Sequence, residues 1–585
     1  MLLPTANLER CQKGIDTLRH LGGKIPSSVL QANQGMLIET RSAGASDHLE
    51  GPALNSLQGV QYDVRAGSSL SSGVVQRILD ILPILTTLLL LSIYPTLRYL
   101  PGDPFWAEVF RFLVISIWIG YLILNQVRAH KTRQELLNNM EIDWRGRLEA
   151  SDHGFDHYAI FMPLKRENNR HVLFQTLLSV QRQDYPPEKI TLIPIVEAED
   201  SETRQKLDEI LPAFEKSLRI EPFIYHTDGI VNKCKATSIS TAGRWLASRI
   251  DERAIGDDDL KILVIDADTI LHPQDLAFRE YSHLQEAERA VSRGDRGIVL
   301  QSLTTYTSNY WKVPMLARLH NSGFVLYQMG KMQTSGDYLV LGPGTSLPFR
   351  DFRAVDYFEP NRHNEDMQFR YKVVMEGFRV APLKMPTWGQ APLTSKDSWA
   401  QIARWARGAV DVKFVVNYVR RFAYSRMPLV KRKSFLAVRA LFANAMPPLM
   451  VFLPAQLILI SWISPCVREL WPFQVFLSPD VLALRIGTKS LCVSPLAAFN
   501  LRFQTIVLTS SMLLGMVLVP HTLKPIIYQR PPRRWRRGRN AFEWFRLTFT
   551  PVNLHNYFLM ATAQLYTQAR LALGISITHT EITRK

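Results

Sequence analysis

The sequence predicts an α/β domain with a largely parallel sheet, set between pairs of helices long enough to cross a membrane. Two observations predict it. Between about residues 150 and 400, short apolar runs alternate with helical stretches, and long runs nearly free of acid stand on both sides. A third observation places the chemistry. In "KILVIDADTIL", Lys261 to Leu271, four apolar residues run into Asp266-Ala267-Asp268, two carboxylates close enough to repel each other unless a cation lies between them.

The strands expected in the middle segment are "YAIFMPL" (158–164), "ITLIPIVEA" (190–198), "FIYH" (223–226), "KILVIDAD" (261–268) and "GIVLQS" (297–302). Helical stretches at 168–183 and 201–218 fall between them. In such sheets ligands bind beyond the carboxyl ends of the strands, where Asp266 and Asp268 lie.

Four membrane spans are expected, at 81–98, 108–126, about 437–463 and about 503–523. Their length and pairing weigh against buried helices of a large soluble protein, and the prolines of the third run are tolerated in membrane helices. Lys and Arg gather at "RAHKTRQ", "RRFAYSRMPLVKRKS" and "KPIIYQRPPRRWRRGR", while "YLPGDPFWAE" between the first two spans is poor in base. The positive-inside rule then places the middle domain and both termini in the cytoplasm, with the plasma membrane favoured over an internal one.

A net charge of +17 in 585 residues implies an anionic partner, and the membrane surface accounts for much of it without nucleic acid. Membrane lipids are therefore expected partners. The run "QRPPRRWRRGRN" (529–540) reads first as a solvated, topology-setting segment and second as a lipid or partner contact.

The expected organisation is a disordered N-terminal region (1–75), two spans (76–128) and the α/β domain (150–400). Amphipathic interface helices (400–436), two further spans with an outer loop (437–525) and a basic C-terminal region (526–585) follow. No cleavable signal peptide is evident at the N-terminus. The four cysteines, Cys11, Cys234, Cys466 and Cys492, form no CxxC pair and so no zinc signature. Cys466 and Cys492 share the expected outer loop, which leaves a disulfide and two free thiols both open.

A DxD alone is weak, because aspartates after strands often cap the next helix. Its functional reading is a hard divalent cation, Mg²⁺ or Mn²⁺, bound with a diphosphate. "HNEDMQF" adds Glu365-Asp366, and "QIARW" adds Gln401, Arg404 and Trp405 at i, i+3 and i+4, on one helix face. The bland readings are acids favouring a helix start and a basic amphipathic helix at the membrane surface.

Taken in order, Asp266-Ala267-Asp268, Glu365-Asp366, the QxxRW run and flanking spans resemble the membrane-embedded family 2 glycosyltransferases, the group of cellulose, chitin and hyaluronan synthases. Shorter echoes are "QDYP", "VNKCKATS" and "GPGTSLPFR", and the resemblance covers roughly 155–530. It implies a GT-A-like (Rossmann-like) cytoplasmic domain inserted between transmembrane helices of a multi-pass protein. It further implies inverting transfer from a nucleotide-sugar donor, UDP-linked for choice, to a glycan or lipid acceptor. Asp366 would be the general base beside Glu365, whose charge should raise the Asp366 pKa. Asp266 and Asp268 would hold the metal, Gln401 and Arg404 would approach the diphosphate, and Trp405 would support the acceptor sugar.

Lys233 resembles a family lysine near the nucleotide, with Lys235 as rival. Asp200 stands where the family carries an acidic nucleotide-binding residue, with Glu197 and Glu199 as alternatives. Thr345 in the Gly-Pro-Gly turn would face a sugar or phosphate, unless that turn is purely structural. Two departures stand out: Gln390 where relatives often carry an acid, and Ile402 where a basic residue often follows the Gln.

The first functional reading is a processive polysaccharide synthase with export through the membrane left open. The second is a single-addition transferase acting on a lipid or short glycan. A non-catalytic scaffold is weakened by the complete motif set, and a transporter by spans without an internal charge relay. Association with itself or a partner subunit is left open.

Overall fold

The computed structural model describes residues 73–99, 105–151, 153–167, 169–227, 234–253, 259–334, 338–359, 365–410, 448–449, 452, 521–528 and 552–573. All lie in the compact unit Leu54–Lys585. The expected N-terminal disorder, most of the third and fourth spans, the loop with Cys466 and Cys492, and Lys233 fall outside the described residues.

In chain order the elements are α1 (Gly73–Tyr99), α2 (Phe105–Glu141), α3 (Trp144–Glu149), β1 (His157–Leu164), α4 (Arg170–Gln181), β2 (Ile190–Glu197) and α5 (Ser201–Ile210). There follow β3 (Arg219–Ile220), β4 (Phe223–Tyr225), α6 (Lys235–Arg253), β5 (Leu260–Val264), α7 (Asp275–Arg293), β6 (Ile298–Thr305) and α8 (Met315–Lys331). The last are β7 (Thr345–Pro348), α9 (Phe349–Ala354), α10 (Glu365–Met375), β8 (Arg379–Trp388), α11 (Ser395–Val410) and α12 (Val552–Ala572).

Eight strands form one sheet in the order β3-β2-β1-β5-β7-β6-β8, with β4 also on β2. β1 runs parallel to β2 and β5, and β6 parallel to β8, whereas β7 is antiparallel to both its neighbours. Each strand expected from the sequence is present. β3, β7 and β8 were not foreseen. β8, "RVAPLKMPTW", carries two prolines, which read as a strand breaker; it lies at the sheet edge, where the missing N–H groups cost little.

Alternation along β1 and β5 splits the core in two. Ala159, Phe161, Ile262 and Val264 face one apolar layer, and Tyr158, Ile160, Met162, Leu263 and Ile265 the other. Burial on both faces explains why these strands read as continuous apolar runs.

Among the described residues one helix is long and apolar enough to cross a membrane, Phe112–Glu141 within α2; the first expected span holds a shorter apolar stretch, Ile81–Ile93. The lower part of α2 lies on the α/β domain. Thr132 Oγ1 donates to Met329 O at 2.7 Å, and Asn125 sits against Gly330, where any Cβ would collide with its side chain. In the expected basic C-terminal region stands an unforeseen helix, α12. It packs on α1, α8 and α11, and Arg77 of α1 donates to the carbonyls of Leu571 and Ala572 at its C-terminal end.

Candidate active site

The chain leaves β5 and turns at once. Asp266 N–H donates to Thr269 Oγ1 at 2.9 Å, Thr269 N–H to Asp266 O at 3.0 Å, and Thr176 Oγ1 to Ala267 O at 2.7 Å. This tight turn presents both carboxylates at the carboxyl end of the sheet. Asp268 is buried, and its Oδ2 accepts the Gln390 N–H at 2.8 Å. Gln390 thus serves through its backbone, so the site uses a residue whose side-chain identity the family comparison flagged as a departure.

Asp266 is half-buried, and Lys235 Nζ lies 2.5 Å from its Oδ1, a positive charge beside the pair. Lys235 opens α6 and also lies within electrostatic reach of Glu365 and Asp366. Burial alone would lower its pKa, but these acids hold it above the ordinary value. A Cβ on Gly342 would stand 3.1 Å from Nζ, so the loop glycine gives the lysine its room.

Glu365 and Asp366 begin α10, where Asp366 Oδ1 accepts the Met367 N–H at 2.7 Å. Burial raises both pKa values. It is the leading cause for each, so the Asp366 pKa is raised as expected, but through burial, with Asp266 and not Glu365 as the acid that adds to it. Repulsion from Asp366 is the second cause at Glu365, which is pushed up to about 7. Lys235 and Arg404 pull both acids the other way.

Gln401, Arg404 and Trp405 lie on α11 as the spacing required. Trp405 packs on Phe324 (centroids 4.9 Å apart), His320 (5.5 Å) and Tyr306 (5.7 Å). Gln401 is buried, and its Oε1 has no hydrogen-bond partner. Ile402 and Ala406 are fully buried against Ala563 of α12. The second departure therefore has a packing reason: a basic residue at 402 would point into a helix–helix contact.

Tyr306, just past β6, was missed by the sequence reading. It is buried and within reach of Asp266, Asp268, Asp366 and Arg404, and its ring lies against Trp405. Burial and then the two DxD aspartates keep its phenol protonated. No motif marks it, because "TTYTS" reads as an ordinary strand end.

Two expected site residues are committed elsewhere. Asp200 caps α5: its carboxylate accepts Thr203 N–H (3.2 Å), Thr203 Oγ1 (2.8 Å) and Arg166 N–H (2.7 Å). Its rivals are also engaged, Glu197 by Lys165 at 2.9 Å and Glu199 by Thr227 N–H at 2.9 Å. Thr345 is fully buried on β7 and donates to Gln301 Oε1 at 2.6 Å, so its hydroxyl is turned into the sheet. The Gly-Pro-Gly loop is stapled by that same Gln301, whose Nε2 donates to Pro343 O at 2.8 Å. The structural explanation of the loop is the one its hydrogen bonds support.

The donor set fits a hard divalent cation bound together with a diphosphate. Among the described residues no three His, Cys, Asp or Glu side chains converge on one point. The protein would then supply carboxylates from Asp266 and Asp268 and leave the remaining positions to phosphate oxygens and water, as Mg²⁺ and Mn²⁺ sites commonly do.

Residues 261–464, beginning in β5 and running through the DxD, Glu365-Asp366 and QxxRW runs, match the family model described as glycosyl transferase family group 2. The matched segment, about a third of the chain, is that of a glycosyltransferase. No curated protein matches it. Among solved structures, the chain is similar to a mannosyltransferase from Pyrobaculum calidifontis in complex with GDP-Man and Mn²⁺, at 13% identity and TM-score 0.35, over 70% of this chain and 100% of that one. It is also similar to residues 1–349 of S. aureus TarS in complex with UDP-GlcNAc, at 15% identity and TM-score 0.27, over 51% of this chain and 86% of that one.

Proposed function

We propose that this transferase is a GT-A-type, inverting enzyme that moves a sugar from a nucleotide-sugar donor, UDP-linked for choice, to a growing glycan at a membrane. The observation that carries the proposal is convergence. Residues separated by up to about 170 positions, Lys235, Asp266, Asp268, Glu365, Asp366 and Arg404, act electrostatically on one another or on Tyr306. A scaffold would have no need of such a cluster.

In this reading Asp366 accepts the acceptor hydroxyl proton as that oxygen attacks the anomeric carbon, and the sugar–phosphate bond breaks on the opposite face. Glu365 keeps its proton longer and sets the field around Asp366. Lys235 and Arg404 face the departing diphosphate, with Gln401 behind them, while Trp405 and Tyr306 form an aromatic floor for the acceptor. When bound at Asp266 and Asp268, the cation stabilises charge growing on the leaving phosphate.

Membrane residence is part of the proposal. It is supported by the exposed apolar side chains of α1 and α2, with Leu89 67% and Ile117 68% exposed, and by the expected multi-pass topology. Processive synthesis is the first reading and single addition to a lipid or short glycan the second; the size distribution of products separates them.

The test is nucleoside diphosphate release by the lipid-reconstituted protein with Mn²⁺ or Mg²⁺ over a panel of UDP- and GDP-sugars. Release with one donor, dependent on metal, is the expected result. Silence across the panel with primers and lipids present would return weight to a non-catalytic subunit.

The acid pair also predicts a pH profile. Asp366 works deprotonated and burial raises its pKa, so the rate should rise with pH through a midpoint above the ordinary aspartate value, and ionisation of Glu365 at about 7 should add a second inflection. Stability should move oppositely. The folded chain keeps a proton on Glu365 that the unfolded chain releases above about 4.5, so this residue's contribution falls as pH rises toward 7. Paired rate and thermal-unfolding profiles check both signs.

A further inference from the structure

Outside the active site, four basic side chains from two distant stretches meet, with no acid among them in the described residues. His130 and Arg133 stand one turn apart on α2, and His521 and Lys524 belong to segment 521–528. The rings of His130 and His521 stack, with centroids 5.4 Å apart and planes inclined by 29°. Among the described residues, the basic groups Arg133, His130 and Lys524 act on His521, and no carboxylate acts on His521 or Arg133. The next acid along α2, Glu135, two residues past Arg133, is committed to Lys384 at 2.8 Å and to Gln333.

Two of the polar atoms here are buried and unsatisfied. Arg133 Nε and His130 Nδ1 have no hydrogen-bond partner among the described residues. A buried guanidinium N–H without an acceptor is costly, and the ammonium of Lys524 nearby adds repulsion. Folding brings these groups together all the same. Segment 521–528 is pinned by Leu523 and Ile526 in the core and by Trp388 Nε1, which donates to Ile526 O at 2.8 Å. An anion seated among them would satisfy the N–H donors and reverse the sign of the local interaction. A phosphoryl group matches the guanidinium fork best.

The position of the cluster identifies the source of the phosphate. His130 and Arg133 follow the second expected span, 108–126, and His521 and Lys524 lie at the end of the fourth, 503–523, both on the side where positive charge gathers. The headgroup layer falls there. We propose that His130, Arg133, His521 and Lys524 form a binding site for the phosphoryl group of an anionic membrane lipid. The inference rests on the membrane-spanning reading above, not on the transfer chemistry.

The test is native mass spectrometry of the full-length, detergent-solubilised protein with phosphatidylglycerol or phosphatidylcholine. The wild type should retain phosphatidylglycerol in preference, and R133Q/K524Q should weaken that retention about thirtyfold, from roughly fivefold per basic side chain. The charge-keeping R133K/K524R should retain most of it, which separates loss of charge from loss of fold. Equal retention of the two lipids, or a R133Q/K524Q protein that holds phosphatidylglycerol as the wild type does, overturns the proposal. Displacement of the lipid by millimolar inorganic phosphate would assign the site to a soluble phosphate and overturn the lipid source. Lipid retention by a protein silent in the donor panel leaves this site standing while the transferase mechanism falls; failure to enter membranes removes the site.

Discussion

Asp366→Asn should lower turnover by about 10²- to 10⁴-fold, the range a general base contributes, while the protein stays folded and binds its donor. Asparagine is nearly isosteric, and its Oδ1 can still accept the Met367 N–H that the aspartate accepts at 2.7 Å, so α10 keeps its first turn. What it lacks is a site for the acceptor proton. Glu365→Gln, one residue away, should cost much less and should move the pH profile instead, because Glu365 contributes field and not proton transfer. The measurement is steady-state release of nucleoside diphosphate beside equilibrium binding of the donor. A loss of less than tenfold in the asparagine variant, or equal losses in both, would remove Asp366 from the role of base.

The second large effect lies away from the reacting atoms. Arg279 on α7 is fully buried, and its guanidinium donates to Asp275 Oδ2 (2.9 Å), Gly344 O (3.0 Å), Ser346 Oγ (2.9 Å) and Ser302 Oγ (2.6 Å). It ties α7 to β6 and to the loop whose Gly342 makes room for Lys235. Arg279→Met should destabilise the domain by about 3–5 kcal/mol, since it leaves the Asp275 carboxylate buried and unpaired. At roughly 2–4 °C per kcal/mol for a domain of this size, the midpoint should fall by about 6–20 °C. The double change Arg279→Met with Asp275→Leu should recover much of that loss, because a buried pair replaced whole by apolar groups is often nearly neutral. Thermal unfolding of the three proteins checks the expectation; a single variant that unfolds with the wild type would show the hub to be dispensable.

Arg279 also shows where sequence reading stops. In "DLAFREYSH" nothing distinguishes it from a solvated arginine on an amphipathic helix, and its partners lie 4, 23, 65 and 67 positions away. Tyr306 was illegible for the same reason, as a strand-end tyrosine that matters only for what three other segments bring beside it. Asp200 and Thr345 show the opposite case. Each sits at a motif-like place, but a helix N-terminus and a sheet hydrogen bond take up their polar atoms. Lys235, held open as a rival, is the lysine whose position the described residues give, and it lies on Asp266.

Periodicity and composition by themselves determined the alternating strands and helices, the turn ending in Asp266 and Asp268, and the shared helical face of Gln401, Arg404 and Trp405. These are local matters, fixed by side-chain spacing of two or 3.6 residues and by charge at a strand end. Only the tertiary structure decided the antiparallel insertion of β7 and the prolines of β8 at an edge. The same holds for the packing of α12 on the QxxRW helix, and for which lysine, tyrosine and backbone N–H groups complete the site. Those choices depend on contacts between residues far apart in the chain, where burial and the pairing of charges decide and local spacing carries no signal.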